Sequence, residues 1–326
     1  MPEYVREIYR PPFIFRNRHL HTIIPSLFRR VKVPSAENIR LTTPDHDFLD
    51  IDYYKNNGKV VAIINHGLEG NSRKPYVLGT VKYLLNSDFD AIAINLKGCS
   101  GYSNRLLTSY HAGKTDDLDI VIKYAIKVLK YPKIVLIGFS LGGNITMKYI
   151  GESGKNIYPE IKVGIAISVP CNLKSSAYQL GRISNSLYLI KFIRSLKKKA
   201  LKKINDFNID YLPLDKIRRA KDFFHFDNLF TAPVHGFSNA EEYWSKCSSI
   251  QFIPDISVPT LLISALDDPF LSSDCFPNDL SEKNPQFFLY TPRYGGHVGF
   301  TCDLLMKKPF LFEKIIIEFC RKYMII

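Results

Sequence analysis

The 326-residue chain contains no run of about 20 apolar residues, which excludes a membrane-spanning helix. Its first residues, Met1 to Arg6, carry no apolar stretch of the signal-peptide kind. The expectation is a soluble, cytoplasmic protein. Cysteine is sparse and scattered, at Cys99, Cys171, Cys247, Cys275, Cys302 and Cys320. With no C-x-x-C pair and no zinc spacing, these read as free, mostly buried thiols, and no metal site is expected. No internal repeat or low-complexity segment stands out. Negative charge is in short supply: 31 acidic residues face 44 lysines and arginines, for a net charge of +13. A positive field of that size attracts anions. Nothing resembles a nucleic-acid-binding motif, however, so no nucleic-acid partner is expected.

What is present is a rhythm. Hydrophobic residues make up 46% of the chain, ample for a core. Strand patterns at 39–43, 48–54, 59–65, 90–95, 133–138 and 162–169 alternate, after the first two, with helix patterns at 75–85, 115–129 and 142–152. Alternation of this kind predicts a mostly parallel central sheet with helices on both faces. The turn signal Pro44-Asp45-His46-Asp47 predicts an antiparallel hairpin at its start. Thr115 is expected to cap the helix that follows it, and 309–323 to form a closing amphipathic helix. Residues 1–35 read as an irregular arm, rich in aromatics and arginine and broken by Pro11-Pro12 and Pro25. After Pro170 the strand rhythm stops, and it resumes near Val258.

One stretch carries chemistry: Gly138-Phe139-Ser140-Leu141-Gly142, between a strand and a helix. Glycines two residues either side of a serine permit the tight turn of a nucleophile elbow, which presents the hydroxyl over the sheet edge. A serine hydroxyl needs a base, and the base an orienting carboxylate. Downstream, the apolar run 259–266 ends in Asp267-Asp268-Pro269, and the run 286–290 leads to Tyr294-Gly295-Gly296-His297. Serine, acid and histidine thus follow in the order this architecture uses, each at a strand end. Asp268 is the first choice of acid because Pro269 starts a turn directly after it, and Asp267, the second choice, is expected to cap or brace the loop. The buried strand 59–65 runs into His66-Gly67-Leu68. Such a turn supplies one backbone donor to an oxyanion and the residue after the nucleophile supplies the other, here the N–H groups of Leu68 and Leu141. Gly138, Gly142 and Gly67 shape the two turns, and His66 reads as structural.

Together these residues resemble the α/β-hydrolase superfamily. The segments Arg18-His19-Leu20-His21-Thr22, His66-Gly67-Leu68-Glu69-Gly70, Asn95-Leu96-Lys97-Gly98, Tyr110-His111-Ala112-Gly113 and Ala232-Pro233-Val234-His235-Gly236 narrow the resemblance to its YheT-like esterase/lipase branch. The resemblance implies the α/β-hydrolase fold and a serine hydrolase of carboxylic esters. It implies no cofactor, and substrates among small esters, acylglycerols included. Residues 173–221 match the branch poorly, so specificity is expected there. The fold then divides into core 1–170, a helical lid insertion 171–245, and core 246–326. Within the insertion, Leu187, Ile190, Ile193, Leu196, Ala200, Leu201 and Ile204 recur at helical spacing opposite a lysine cluster. That face either packs on the core or meets an anionic membrane surface. Two other functions use the same fold: an acyltransferase with the same triad, and a non-catalytic ligand-binding protein. The pattern from His111 to Asp116 matches some acyltransferases, but Asp116 sits where a helix start needs an acidic residue. Oligomeric state is not legible.

Overall fold

The computed structural model describes residues 8–324. Residues 1–7, the start of the arm, lie outside that range. Eight strands form one sheet: β1 (Glu37–Thr42), β2 (Phe48–Tyr54), β3 (Val60–Asn65), β4 (Asp90–Asn95), β5 (Lys133–Phe139), β6 (Ile161–Ile167), β7 (Thr260–Ile263) and β8 (Phe287–Tyr290). Their order is β1-β2-β4-β3-β5-β6-β7-β8. β2 runs antiparallel to β1 and β4, and all other neighbours are parallel. The opening hairpin and the parallel remainder agree with the periodicity.

Central parallel strands must be apolar on both faces, and β3 and β4 are buried at every position. Side chains alternate between two cores. Val61 and Ile63 join the face covered by α3 (Asp116–Lys127) and α4 (Leu141–Ser153). Val60, Ala62 and Ile64 join the face covered by α2 (Pro75–Leu85) and the closing helix, α12 (Leu311–Tyr323). Thr115 stands at the start of α3 without capping it, a correction to the expectation. Its hydroxyl donates to Glu152 on α4 instead. Asp116, Asp117 and Asp119 in the first turn meet the helix dipole without it.

From Phe13 to Phe28 the N-terminal segment is largely helical rather than the expected irregular arm. A short 3-10 turn, Phe13–Arg16, leads into α1 (Arg18–Phe28), which continues through Pro25. Asn17 caps α1 by accepting the N–H groups of His19 and Leu20. Pro25 forfeits one backbone bond near the helix end, and what holds the helix is tertiary. Arg29, just past α1, pairs with Glu313 of α12 through two bonds of 2.7 and 2.9 Å. Both side chains are buried, and the guanidinium carbon lies 3.6 Å from the Phe310 ring centroid.

Between β6 and β7 the chain is helical. It contains α5 (Leu173–Leu180), α6 (Ser186–Asp206), α7 (Leu214–Arg219), α8 (Phe223–Phe226), α9 (Ala232–Val234) and α10 (Ala240–Cys247). One short helix, α11 (Asn278–Lys283), separates β7 from β8. Helix α6 sits differently from the expected stripe. Ile193, Ala200 and Ile204 are buried, but Leu187 and Ile190 are 74% and 57% exposed. Nor is the lysine cluster wholly solvated. Lys203 is buried and donates to the carbonyls of Leu106, Leu107 and Thr108 at 2.6, 3.1 and 2.6 Å. Lys199, one turn earlier, donates to Glu69 at 2.9 Å. Where Lys199 and Lys203 point, the surface beneath α6 offers a carboxylate and carbonyls, which favour cations over aliphatic side chains.

Glu313→Gln leaves the Arg29 guanidinium buried without its counter-charge. The variant is expected to lose about 3–5 kcal/mol of unfolding free energy. Chemical denaturation checks this, and a loss below about 1 kcal/mol would contradict it.

Candidate active site

Ser140 occupies the turn between β5 and α4 with φ 52° and ψ −120°, a backbone state that a non-glycine residue rarely adopts. The turn closes because its flanks lack side chains. A Cβ at Gly138 would stand 2.4 Å from the Gly142 carbonyl oxygen, and one at Gly142 would stand 2.4 Å from that of His66. The Ser140 N–H donates to Ile167 at 2.8 Å, and its carbonyl accepts from Asn144 at 3.0 Å. Both bonds hold the strained residue in place.

Three side chains predicted from the sequence meet here. The His297 Nε2 lies 3.0 Å from Ser140 Oγ, and its Nδ1 lies 2.9 and 3.1 Å from the Asp268 carboxylate oxygens. Asp268 is buried, and its Oδ1 also accepts the Phe270 N–H at 2.9 Å. A carboxylate at Nδ1 holds the proton there and leaves Nε2 as acceptor for the serine hydroxyl. The Phe270 ring stacks on the imidazole, centroids 4.1 Å apart. Asp267, the second-choice acid, contacts the histidine loop rather than the imidazole: its Oδ1 accepts the Gly296 N–H at 2.9 Å.

The turn after β3 lies against the elbow. Gly67 donates its N–H to the Tyr76 hydroxyl at 3.0 Å. The buried His66 accepts the Leu96 N–H at Nε2, 3.2 Å, and its Nδ1 lies 2.7 Å from the Gly67 carbonyl. Burial pushes its pKa down to about 4, so it is a neutral structural group. Leu68 and Leu141 line the same cavity as Ser140 and His297. Among the described residues, neither of their N–H groups donates to a protein acceptor. Glu69, next in the chain, accepts from Tyr110, Ser195 and Lys199. Burial opposes its charge, yet Lys199 and the two hydroxyls hold its pKa below the ordinary value. The turn after β3 is thereby tied to α6.

Sequence reasoning missed what holds His297. Its N–H donates to Thr22 Oγ1 at 2.9 Å, and the Thr22 hydroxyl donates to Arg18 at 2.7 Å. On the same helix, His21 Nε2 accepts the Thr301 N–H at 3.0 Å. Ser168 Oγ accepts the Val298 N–H at 3.0 Å. The glycines around His297 make room for α1: a Cβ at Gly296 would stand 2.7 Å from Thr22 Oγ1, and one at Gly299 would stand 2.2 Å from the His21 carbonyl oxygen. The run Gly295-Gly296-His297-Val298-Gly299 was the only available signal, and it named no partner.

A cavity of about 410 Å³ opens beside Ser140. Its lining combines apolar side chains, among them Leu173, Leu180, Phe192, Leu196, Phe223 and Phe270, with the polar Lys97, His111, His235 and Lys203. His111 and Asp116 do not pair. Asp116 is exposed and bonds Lys114 at 2.9 Å. Among the described residues, no group of three or more His, Cys, Asp or Glu side chains is arranged to hold a metal, and no helix is long and apolar enough to cross a membrane.

Comparison with known proteins agrees with this architecture. Residues 61–160 match the family described as the alpha/beta hydrolase fold. YheT of Escherichia coli strain K12, a protein named as an esterase, is 30% identical over 95% of this chain and 92% of its own. A monoacylglycerol lipase of Saccharomyces cerevisiae is 34% identical over 80% of this chain, which spans 58% of that longer protein. Among solved structures, the Pyrococcus furiosus esterase Pf2001 superposes with a TM-score of 0.59 at 16% identity, over 91% of this chain and 98% of that one. At that identity the likeness concerns the fold.

Two outcomes follow. Thr22→Val keeps the shape of Thr22 but removes the acceptor for the His297 N–H. Reaction of Ser140 with a fluorophosphonate is expected to slow by roughly ten- to a hundredfold, whereas Thr22→Ser retains the wild-type rate. Equal rates in all three proteins would refute the positioning role. The second outcome concerns Asp267, which burial and the charge of Asp268 push up to about 6, against the pull of the Gly296 N–H. A carboxyl raised above its unfolded value of 3.8 gives stability that is complete below that value and is lost as pH rises through about 6. Asp267→Asn is therefore expected to melt above wild type near about pH 7.5, the gap closing toward about pH 4. Thermal melts across that range check it, and a gap independent of pH contradicts it.

Proposed function

The chain belongs to the YheT-like esterase branch of the α/β-hydrolases, and from that membership we propose that it is a serine hydrolase of carboxylic esters. In this mechanism His297 takes the proton of Ser140 as Oγ attacks the ester carbonyl. The N–H groups of Leu68 and Leu141 receive the charge that develops on the carbonyl oxygen, each worth on the order of a hundredfold or more in rate. Asp268 holds the imidazole tautomer and balances its positive charge. The alcohol leaves with the proton from His297, and water then repeats the sequence on the acyl-enzyme. The observation that carries this reading is the continuous relay of Ser140, His297 and Asp268, at 3.0 and 2.9 Å, on the wall of a largely apolar cavity. It uses only the chain's own groups.

An acyl chain suits the wall made by Phe192, Phe223 and Phe270, and relatives named monoacylglycerol lipase and esterase support acylglycerols or other small esters as substrates. In the proposed division, 1–170 and 246–326 form the catalytic core and 171–245 forms a lid. Ile183, just before α6, and Leu187 and Ile190 in its first turns are exposed, beside the exposed Lys191 and Arg194. Apolar side chains with adjoining cations are what a peripheral contact with an anionic lipid surface uses. The proposed setting is cytoplasmic, with the lid meeting such a surface.

Ser140→Ala is expected to lower kcat on p-nitrophenyl esters by on the order of 10⁶ while the protein stays folded. Wild-type turnover by this variant would end the assignment.

A further inference from the structure

We propose that His111 and His235 form an alcohol subsite that grips the free hydroxyls of a glyceryl leaving group, so that the site selects polyol esters over simple alkyl esters. This inference rests on the serine-hydrolase reading above and deepens it. An ester of glycerol has an apolar arm and a hydroxyl-bearing arm, and the lining of the cavity beside Ser140 holds side chains suited to each. Among the apolar ones, Phe270 stacks on His297. The two histidines line the same cavity.

Their rings pack on each other, centroids 4.6 Å apart and tilted by 52°. The segment that carries His111 is tied to the nucleophile's own helix. The carbonyl of Ala112, next to His111, accepts from Asn144 Nδ2 at 2.9 Å, and the Asn144 N–H donates to the Ser140 carbonyl. His111 Nδ1 accepts the Gly113 N–H at 3.1 Å, so its proton resides on Nε2. The His111 ring is set by edge contacts with Phe237 and Tyr243. Among the described residues, the His235 ring makes no hydrogen bond to a protein group; its partner is the His111 ring. It therefore keeps one donor and one acceptor for a ligand.

Charge decides which ligand. Burial, with Lys114, Lys203 and Lys97 nearby, pushes the His235 pKa down to about 4. Burial, with His235, Lys114 and Lys148, lowers His111 well below its ordinary value. Both imidazoles are neutral at physiological pH, and neutral donor–acceptor groups match hydroxyls. The cations that line the cavity are already engaged. Lys203 spends its donors on three carbonyls, Lys97 pairs with Asp45 at 2.9 Å, Lys199 pairs with Glu69 and Lys202 with Asp206. Among the described residues every lysine lining the cavity has a protein partner, whereas the His235 ring has none of its hydrogen bonds made, so a diol finds open partners there.

The test uses the full chain and two non-hydrolysable probes with the same alkyl chain, a glyceryl ether and an ethyl ether. Calorimetric titration of wild type is expected to give about tenfold tighter binding of the glyceryl ether, the worth of two added hydrogen bonds. His235→Phe is expected to reduce that ratio to about one, and His235→Gln, which restores a donor and an acceptor, to recover part of it. Equal affinities in wild type overturn the subsite, as does an undiminished ratio in His235→Phe that melts like wild type. If His235→Phe fails to fold, the wild-type ratio and His235→Gln still decide. Ethyl ester hydrolysis is measured alongside. Its absence, with the diol preference intact, counts against the serine-hydrolase reading and leaves the subsite standing.

Discussion

A single tight turn governs the rest of this molecule. Ser140 sits in a backbone conformation that costs of order 1–3 kcal/mol, and it stays there because the end of β3, the start of α4 and the end of β6 close around it. No room remains for a Cβ at Gly138 or Gly142. That close approach also brings the turn after β3 against the serine, so Leu68 and Leu141 share one space with its hydroxyl. Relaxing the turn would separate the hydroxyl from both the imidazole and the backbone donors at once.

The histidine reaches the serine from the other side of the sheet order, across β6 and β7. A loop carried that far needs fixing, and the fixing groups come from three distant segments. Thr22 on α1 holds the His297 N–H, Ser168 holds the next residue, and Asp267 holds the one before. Helix α1 is itself anchored through the buried pair of Arg29 and Glu313 to α12. The N-terminal segment is thus part of the histidine's support, although none of its described residues hydrogen-bonds to Ser140. The loop glycines serve this contact as much as they serve the loop's own conformation.

Helix α6 has two roles on two faces. Ser195, Lys199 and Lys203 follow at four-residue spacing and therefore share one face. That face grips Glu69 and the carbonyls of residues 106–108. The opposite end of the helix leaves Leu187 and Ile190 in solvent. Because Glu69 adjoins Leu68, the bonds from Ser195 and Lys199 join α6 to the turn beside the serine. The covering helix and the proposed oxyanion turn are mechanically one unit.

The order of the strands' apolar runs, the tight turn at Ser140 and the strand-end positions of Asp267, Asp268 and His297 were legible in the sequence. Each is a local signal: a glycine-bounded turn or a carboxylate at the end of a buried run says where the chain must bend and what it exposes there. The choice of Asp268 over Asp267 had a local cue in Pro269, and the geometry about His297 follows it. The cap expected of Thr115 and the irregular arm came out otherwise, for one shared reason. A polar side chain's preference depends on which partner is within reach, and periodicity does not name partners. Thr115 found Glu152, Arg29 found Glu313, and Lys203 found three carbonyls nearly a hundred residues away in the chain. Apolar pattern and turn chemistry act over a few residues and so are written into the sequence directly. The pairing of buried polar groups is decided only when the sheet has brought remote segments together, since desolvation there leaves each group no alternative to the partner it meets.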